Sequence, residues 1–561
     1  MTEFLIANMA PIIFASLVVF LLLGFPVAFA LAANGIIFGL VGIELGLFNP
    51  AFFQALPERI FGGVMNNDTL LAIPFFTFMG LILERSGMAE DLLETIGQLF
   101  GPIRGGLAIA VIFVGAMLAA TTGVVAASVI SMGLISLPIM LRYGYDRRLA
   151  SGVIAASGTL AQIIPPSLVL IIIADQLGRS VGDMYRGAFL PGFVLTGLYL
   201  LYVVGMTLIF PKSAPALPPE ARTFREANGR SGARSLIVLL MLAGAVAWGW
   251  AVRQPAEKHT DEIIVVSMVI AMAVAFVAAL ANRLLKLGLL SKMAEKVTFV
   301  LIPPLALIFL VLGTIFIGVA TPTEGGAMGA TGALVMALAR KRLNLALLKQ
   351  AMDSTAKLTT FVVFILIGAR VFSLTFYGVD GHKWVEHLLS NLPGGEIGFL
   401  IVVNILVFLL AFFLDFFELA FIVVPLLAPA AEALGIDLIW FGVLLAVNMQ
   451  TSFMHPPFGF ALFYLRSVAP QVPYKDHVTG QTMAPVTTGQ IYWGAIPFVV
   501  IQIIMVGLVI AFPEMVGHDK PAYVEGEMPM IDIQQMLQED AAADAAREAA
   551  KVGAGGTATG Q

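Results

Sequence analysis

The residues with chemistry to offer are few and sit in apolar company. Asp415 and Glu418 lie between Phe413 and Phe421 in a hydrophobic run over 397–431. A carboxylate inside a membrane costs several kcal/mol unless it is paired, protonated or hydrated, so it reads first as a functional group. Two Pro-Pro pairs, Pro165-Pro166 and Pro456-Pro457, interrupt other apolar runs. Consecutive prolines remove two amide donors and clash with the preceding turn, so a helix breaks there. The residues around them, Gly158, Thr159 and Ser167 at the first break and Asn448, Thr451, Ser452 and His455 at the second, offer hydroxyl, amide and freed carbonyl oxygens. Such oxygens suit a sodium ion, and half-helix N-termini can face an anion.

Further candidates are weaker. Thr121, Thr122, Gly123 and Ser128 place small polar residues in the middle of the apolar run 106–141. Thr321, Thr323 and Glu324 form a hydroxyl-rich turn before Gly325-Gly326 that either lines an ion site or caps a scaffold helix. His455 is a candidate proton carrier, although a lone histidine is more often a structural residue. Asp68 and Asp353, each followed by Thr or Ser, read as helix N-caps. Sodium is expected near Thr122, Gly158, Asp415 and Thr451, and no catalytic residue is expected.

The elements that must position these groups follow from composition. The chain has 561 residues, 59% hydrophobic and 12% charged, with a mean hydropathy of +0.94. A soluble chain carries about 25% charged residues, so soluble enzymes and disordered scaffolds are excluded. At roughly 20 apolar residues per crossing, the runs suffice for about 12 transmembrane helices in an all-α polytopic protein. The runs 106–141 and 397–431, at about 35 residues each, are too long for one crossing at about 1.5 Å per residue and read as two re-entrant helical hairpins. Met1-Thr2-Glu3 leads directly into an apolar stretch, which reads as a retained span rather than a cleaved signal. Cysteine is absent, which excludes disulfides and thiolate chemistry.

An internal repeat organises the runs. Pro102, Pro138, Asp146, Pro165 and Pro166 each recur 291 positions later, as Pro393, Pro429, Asp437, Pro456 and Pro457. The halves span 1–210 and 297–512, separated by a basic loop and an extra pair of spans over 211–296 and followed by a tail over 513–561. Charge orients them. Arg104, Arg142, Arg147 and Arg148 flank the first hairpin, whereas Glu396, Glu432 and Asp437 flank the second. Because short cytoplasmic loops carry the Lys/Arg excess, the first hairpin opens from the cytoplasm and the second from outside. This is an inverted-topology repeat, with the site expected near the midplane where the halves meet. The net charge of −5 resides in the tail: residues 517–561 hold eight acids and three bases. Within it, 531–550 reads as an amphipathic helix and the segment after Lys551 as disordered.

No Gly-x-x-x-x-Gly-Lys-Ser/Thr, His-Glu-x-x-His or Gly-x-Ser-x-Gly stretch occurs, so the chain reads as a transporter and not an enzyme, driven by an ion gradient or a partner.

With these residues in hand, the chain resembles the large permease subunit of TRAP transporters, the tripartite ATP-independent periplasmic family. Thr321-Pro322-Thr323-Glu324, Tyr143-Gly144-Tyr145-Asp146-Arg147-Arg148-Leu149-Ala150, Gly158-Thr159-Leu160 running to Ile164-Pro165-Pro166-Ser167, and Pro456-Pro457-Phe458-Gly459 carry the likeness. It covers about residues 4–210 and 297–512. The resemblance implies an elevator-type fold of the ion transporter superfamily kind, importing an organic acid by sodium symport. It also implies a small TRAP membrane subunit and a periplasmic substrate-binding protein as partners, no cofactor beyond sodium, no ATP, no nucleic acid, and a location in the bacterial inner membrane among its lipids. The family commonly has Thr where His455 stands, and a Ser-rich tip where Thr122-Gly123-Val124-Val125 stands, which leaves proton coupling through His455 open. The alternative is a stand-alone sodium- or proton-coupled organic anion symporter, or a channel, without a binding protein.

Overall fold

A computed structural model describes residues 2–122, 125–222, 232–255, 260–412, 414–457, 459–476 and 478–517. The tail's expected amphipathic helix, the tip glycine Gly123 and Phe413 lie outside the described residues. Almost everything described is helical. The first half runs α1 Thr2–Ala7, α2 Met9–Leu22, α3 Val27–Glu44, α4 Leu56–Ile60, α5 Ala72–Arg85, α6 Met88–Phe100, α7 Gly106–Thr122, α8 Val125–Arg142, α9 Arg147–Thr159, α10 Leu168–Gln176 and α11 Val181–Ile209. Two helices intervene, α12 Ala233–Ala251 and α13 Thr260–Leu284. The second half follows as α14 Lys292–Phe316, α15 Pro322–Ala339, α16 Leu345–Gly378, α17 Gly381–Ser390, α18 Gly395–Leu410, α19 Phe416–Glu418, α20 Val424–Ala433, α21 Leu438–Met449, α22 Phe460–Val468 and α23 Thr488–Ala511. A short ribbon, β1 Tyr474–Lys475 paired antiparallel with β2 Thr482–Met483, links the last two.

Eight helices among the described residues are long and apolar enough to cross a membrane, or up to ten if each of two sharply bent pairs is one span. That is fewer than about 12 full spans, for a physical reason. Helices cut by the Pro-Pro breaks, such as α9, α10, α21 and α22, are individually shorter than a bilayer crossing.

The boundaries repeat. Val125–Arg142 and the helical segment Phe416–Ala433 have the same limits 291 residues apart, and so do the starts of α9 and α21. The capping chemistry repeats with them: Asp146 accepts hydrogen bonds from the amides of Arg148 and Leu149, and Asp437 from those of Ile439 and Trp440. A side chain holding two of the four orphan amides at a helix start fixes where that helix begins. α6 and α17 are the amphipathic members of the two series, each leading into a hairpin.

The broken helices form the centre. Every residue of α21, and all of α9 beyond its first two, is buried; α21 is accordingly apolar on nearly every face, whereas α9 is built largely from small residues, Gly, Ala and Ser. α9 packs against α23 backbone to backbone: a Cβ on Gly152 would lie 2.1 Å from the carbonyl oxygen of Gly494, and one on Gly494 2.1 Å from that of Arg148. Close approach through small residues is the main way helices associate where lipid removes the hydrophobic drive. By contrast α12 and α13 are mostly exposed and pack on each other and on α14.

Candidate functional site

Each hairpin brings its ends together at one extremity. The amide of Leu107 at the start of α7 donates to the hydroxyl of Tyr145 just beyond α8. At the second, Phe399 near the start of α18 packs on Phe441 near the start of α21, which directly follows α20. The mouths are tied across the halves. Arg142, closing the first hairpin, makes a bidentate ion pair with Asp476 in the ribbon that follows the second broken helix, with Nη2 2.8 Å from Oδ1 and Nε 3.0 Å from Oδ2. Arg179, after the first broken helix, pairs at 3.1 Å with Glu432, which closes the second hairpin. The Arg142 guanidinium, with the Thr479 hydroxyl, holds the Asp476 carboxyl well below the usual carboxylate range.

The opposite ends of both hairpins meet at the breaks. A cavity of about 130 Å³ is lined there by Val125, Ala126 and Gln162 from the first half and by Phe416, Phe417 and Phe453 from the second, with Tyr464 beside them. Those six residues are three pairs at the repeat distance, so the cavity straddles the relation between the halves. Gly158 is where α8 presses on α9: a Cβ there would lie 2.4 Å from a Val129 methyl. Thr159 donates to the carbonyl of Ala156 and accepts from Gln450, and Tyr199 joins the same centre by accepting from Gln502.

The polar candidates divide by what satisfies them. Ser167 donates to the carbonyl of Gln162 at 2.6 Å and caps α10, immediately after the buried Pro165 and Pro166. Asn448 donates twice to Asn404, and Thr451 donates to the carbonyl of Asn448. Asp415 and Glu418 form a reciprocal capping box at the second tip, each carboxylate accepting the other's amide at 2.9 Å. In contrast, Gln162 Oε1, Gln450 Oε1 and Ser452 Oγ are buried without a hydrogen-bond partner among the described residues. A buried polar atom left unpaired costs about 1–3 kcal/mol, so three at one pair of breaks mark oxygens available to a cation.

Other expectations resolve differently. Ser128 is buried in α8, and Thr121 and Thr122 end α7. Thr321, Thr323 and Glu324 are not brought to the cavity. Glu324 and Thr321 close a capping box on α15, and Thr323 donates to the carbonyl of Asp68. His455 stacks on Phe412 and meets Phe408 edge to face, with ring centroids 4.3 Å apart in each pair, ahead of a half-buried Pro456 and an exposed Pro457. Asp68 is not an N-cap, because the neighbouring Asn67 accepts from the amide of Thr69. Asp353 is exposed inside α16, whose cap is Asn344. Among the described residues no cluster of three or more His, Asp or Glu is arranged for a transition metal. Gln162, Gln450, Asn404 and Tyr464 are central groups outside the expected set. Adding the repeat distance to Thr159 finds Gln450, and nothing local marks the others.

The profile of the family described as tripartite ATP-independent periplasmic transporter, DctM component, matches residues 14–515. The chain is 28% identical over 432 residues to the C4-dicarboxylate TRAP transporter large permease protein DctM of Pseudomonas aeruginosa, covering 77% of this chain and 84% of that one. It is 26% identical to the protein of the same description in Vibrio cholerae, over 82% and 89% of the two chains. It is 25% identical to the ectoine/5-hydroxyectoine TRAP transporter large permease protein UehC of Ruegeria pomeroyi, over 84% and 92%. The solved structure of the Alcanivorax borkumensis YdaH transporter aligns with a TM-score of 0.49 at 14% identity, over 83% of this chain and 90% of that one.

Proposed function

The chain belongs to the DctM family of tripartite ATP-independent periplasmic transporters, and from that premise we propose that it imports an organic acid by sodium symport as the large permease. A small membrane subunit and a periplasmic binding protein that delivers the solute complete the system, in the bacterial inner membrane. The observation that carries the sodium reading is the trio of unpartnered oxygens at the breaks, Gln450 Oε1, Ser452 Oγ and Gln162 Oε1, the last from a residue that lines the cavity shared by both tips. Backbone carbonyls around Thr122, Gly158 and Thr451 and the carboxylate of Asp415 complete the coordination. Unwound carbonyls and half-helix ends serve this purpose in inverted-repeat transporters.

The crossed clasps support the inverted arrangement. Each hairpin mouth meets the far end of the other half's broken helix, through Arg142–Asp476 at one extremity and Arg179–Glu432 at the other. Hairpins and broken helices then travel as one body against α3, α5, α15 and α16, which is an elevator. A carboxylate is the favoured cargo, because the first relatives are described as C4-dicarboxylate permeases. The test is uptake of succinate into proteoliposomes holding the chain with its two partners. Accumulation under an inward sodium gradient and none under potassium is expected; equal accumulation without sodium ends the coupling claim.

A further inference from the structure

A second cavity, of about 470 Å³, lies apart from the breaks, between the outer turns of α16, the turn Gly63 after α4, the end of α10 and the inner arm of the second hairpin. Its size falls in the range of small-molecule sites. Its lining is charged in one sense only. Arg59 and Arg370 both face it, with Gln176, Ser373 and Tyr377, while Phe421 and Pro425 of the hairpin close the other wall. Arg370 is half-buried and donates only to the carbonyl of Gly63, at 3.3 Å, and Arg59 makes no ion pair among the described residues. The nearest acid on the adjoining helix, Asp175, is already engaged by Asn67 at 2.7 Å and by the neighbouring Gln176 at 2.8 Å. Two guanidinium groups without a counter-charge among the described residues, one of them partly desolvated, raise the local positive potential and attract an anion.

We infer that this cavity is an anion-receiving vestibule, in which Arg59 and Arg370 clamp the carboxylate of the solute before it reaches the site between the tips. The guanidinium fork suits a carboxylate bidentately, Gln176, Ser373 and Tyr377 offer further donors, and the apolar hairpin wall accepts the carbon skeleton. The placement suits that sequence of events, because the wall formed by Phe421 and Pro425 belongs to the hairpin whose tip carries Phe416 and Phe417 at the central cavity. The assignment rests on the organic-acid reading for the identity of the anion, and its test is independent of transport.

The chain has no native cysteine, so Ser373→Cys gives a single thiol in the cavity. Its labelling by a sulfonate-bearing and by a trimethylammonium-bearing thiosulfonate reagent is compared, each normalised to a free thiol. Preference for the anionic reagent by about tenfold is expected, together with slowing of labelling by acetate, succinate or citrate. Arg59→Gln with Arg370→Gln removes the preference, and the Arg59→Lys, Arg370→Lys pair, which keeps the charge, retains it. A thiol at position 373 with no anionic preference, a preference unchanged in the Gln pair, or protection by none of the three carboxylates overturns the vestibule. Failure of succinate uptake with the labelling preference intact removes the transport reading and leaves the anion site standing.

Discussion

The side-chain amide of Gln450 donates to the hydroxyl of Thr159 at 3.2 Å, and the two residues are 291 positions apart, which is the repeat distance itself. Equivalent positions touch only where the axis relating two halves passes between them. The axis therefore runs through a buried polar contact and on into the cavity lined by the pairs Val125 and Phe416, Ala126 and Phe417, Gln162 and Phe453. Frame and chemistry part company there: the backbone is matched, but Gln162 faces Phe453, so any ion site on the axis is lopsided.

A double-mutant cycle measures that contact. Thr159→Val and Gln450→Leu, alone and together, should reveal a coupling of about 1 kcal/mol in the stability of the detergent-solubilised protein. Additive effects of the two substitutions would place the contact outside the native ensemble.

Gly494→Val should be severe. Its first added carbon would lie 2.1 Å from the carbonyl oxygen of Arg148, and main chain cannot step aside as a side chain can. Forcing α9 from α23 is expected to cost about 3 kcal/mol or more, read as a fall in melting temperature, while Gly507→Ala in the same helix, where nothing lies near, should be close to neutral.

Acid should loosen the first mouth. The Asp476 carboxyl is held well below its ordinary value of 3.8 by Arg142 and Thr479. A group depressed in the folded state contributes its stability above the unfolded value and loses it as pH falls through that value toward the folded one. The melting temperature should therefore drop more steeply below about pH 4 in the parent than in Asp476→Asn, whose baseline is already lower. Parallel acid limbs for the two proteins would contradict the assignment.

Asp415 can be asked whether it caps or coordinates. Asparagine caps a helix about as well as aspartate, whereas alanine forfeits about 1 kcal/mol. Asp415→Asn should fold like the parent yet need about tenfold more sodium for half-maximal uptake, a loss of about 1.4 kcal/mol. An unchanged sodium requirement would leave Asp415 as a cap alone.

Much of this was legible because the chemistry is local. Pro165-Pro166 and Pro456-Pro457 announce their breaks, Asp146 and Asp437 cap the helices that follow, and the apolar runs 106–141 and 397–431 match the hairpins to within a few residues. What escaped is what needs distant segments to meet. Gln162 carries no local signature between Ala161 and Ile163, Gln450 is marked only by its repeat distance from Thr159, and Arg59 and Arg370 share a cavity only after α16 and α4 pack. Asp353-Ser354-Thr355 has the letters of a cap but lies inside a 34-residue helix that Asn344 had already started, with Asp353 exposed and Thr355 buried. Thr321 to Glu324 is the reverse case, where the two expectations differed only in location, and the bonds to Glu324 and Asp68 put it at a helix start.

The clasps at the two mouths carry a historical implication. Among the described residues, the ion pair of Arg142 reaches into the second half, and that of Glu432 into the first. Each hairpin closes on itself, through Leu107 and Tyr145 in the first half and Phe399 and Phe441 in the second, so a half-length ancestor would have kept its hairpin but lacked the salt bridges that tie each mouth to a broken helix. Once two copies were duplicated and fused, each half would always have the other beside it; the bidentate Arg142–Asp476 and the exposed Arg179–Glu432 pairs stand at positions that are not equivalent in the repeat, so each clasp was acquired separately after the fusion.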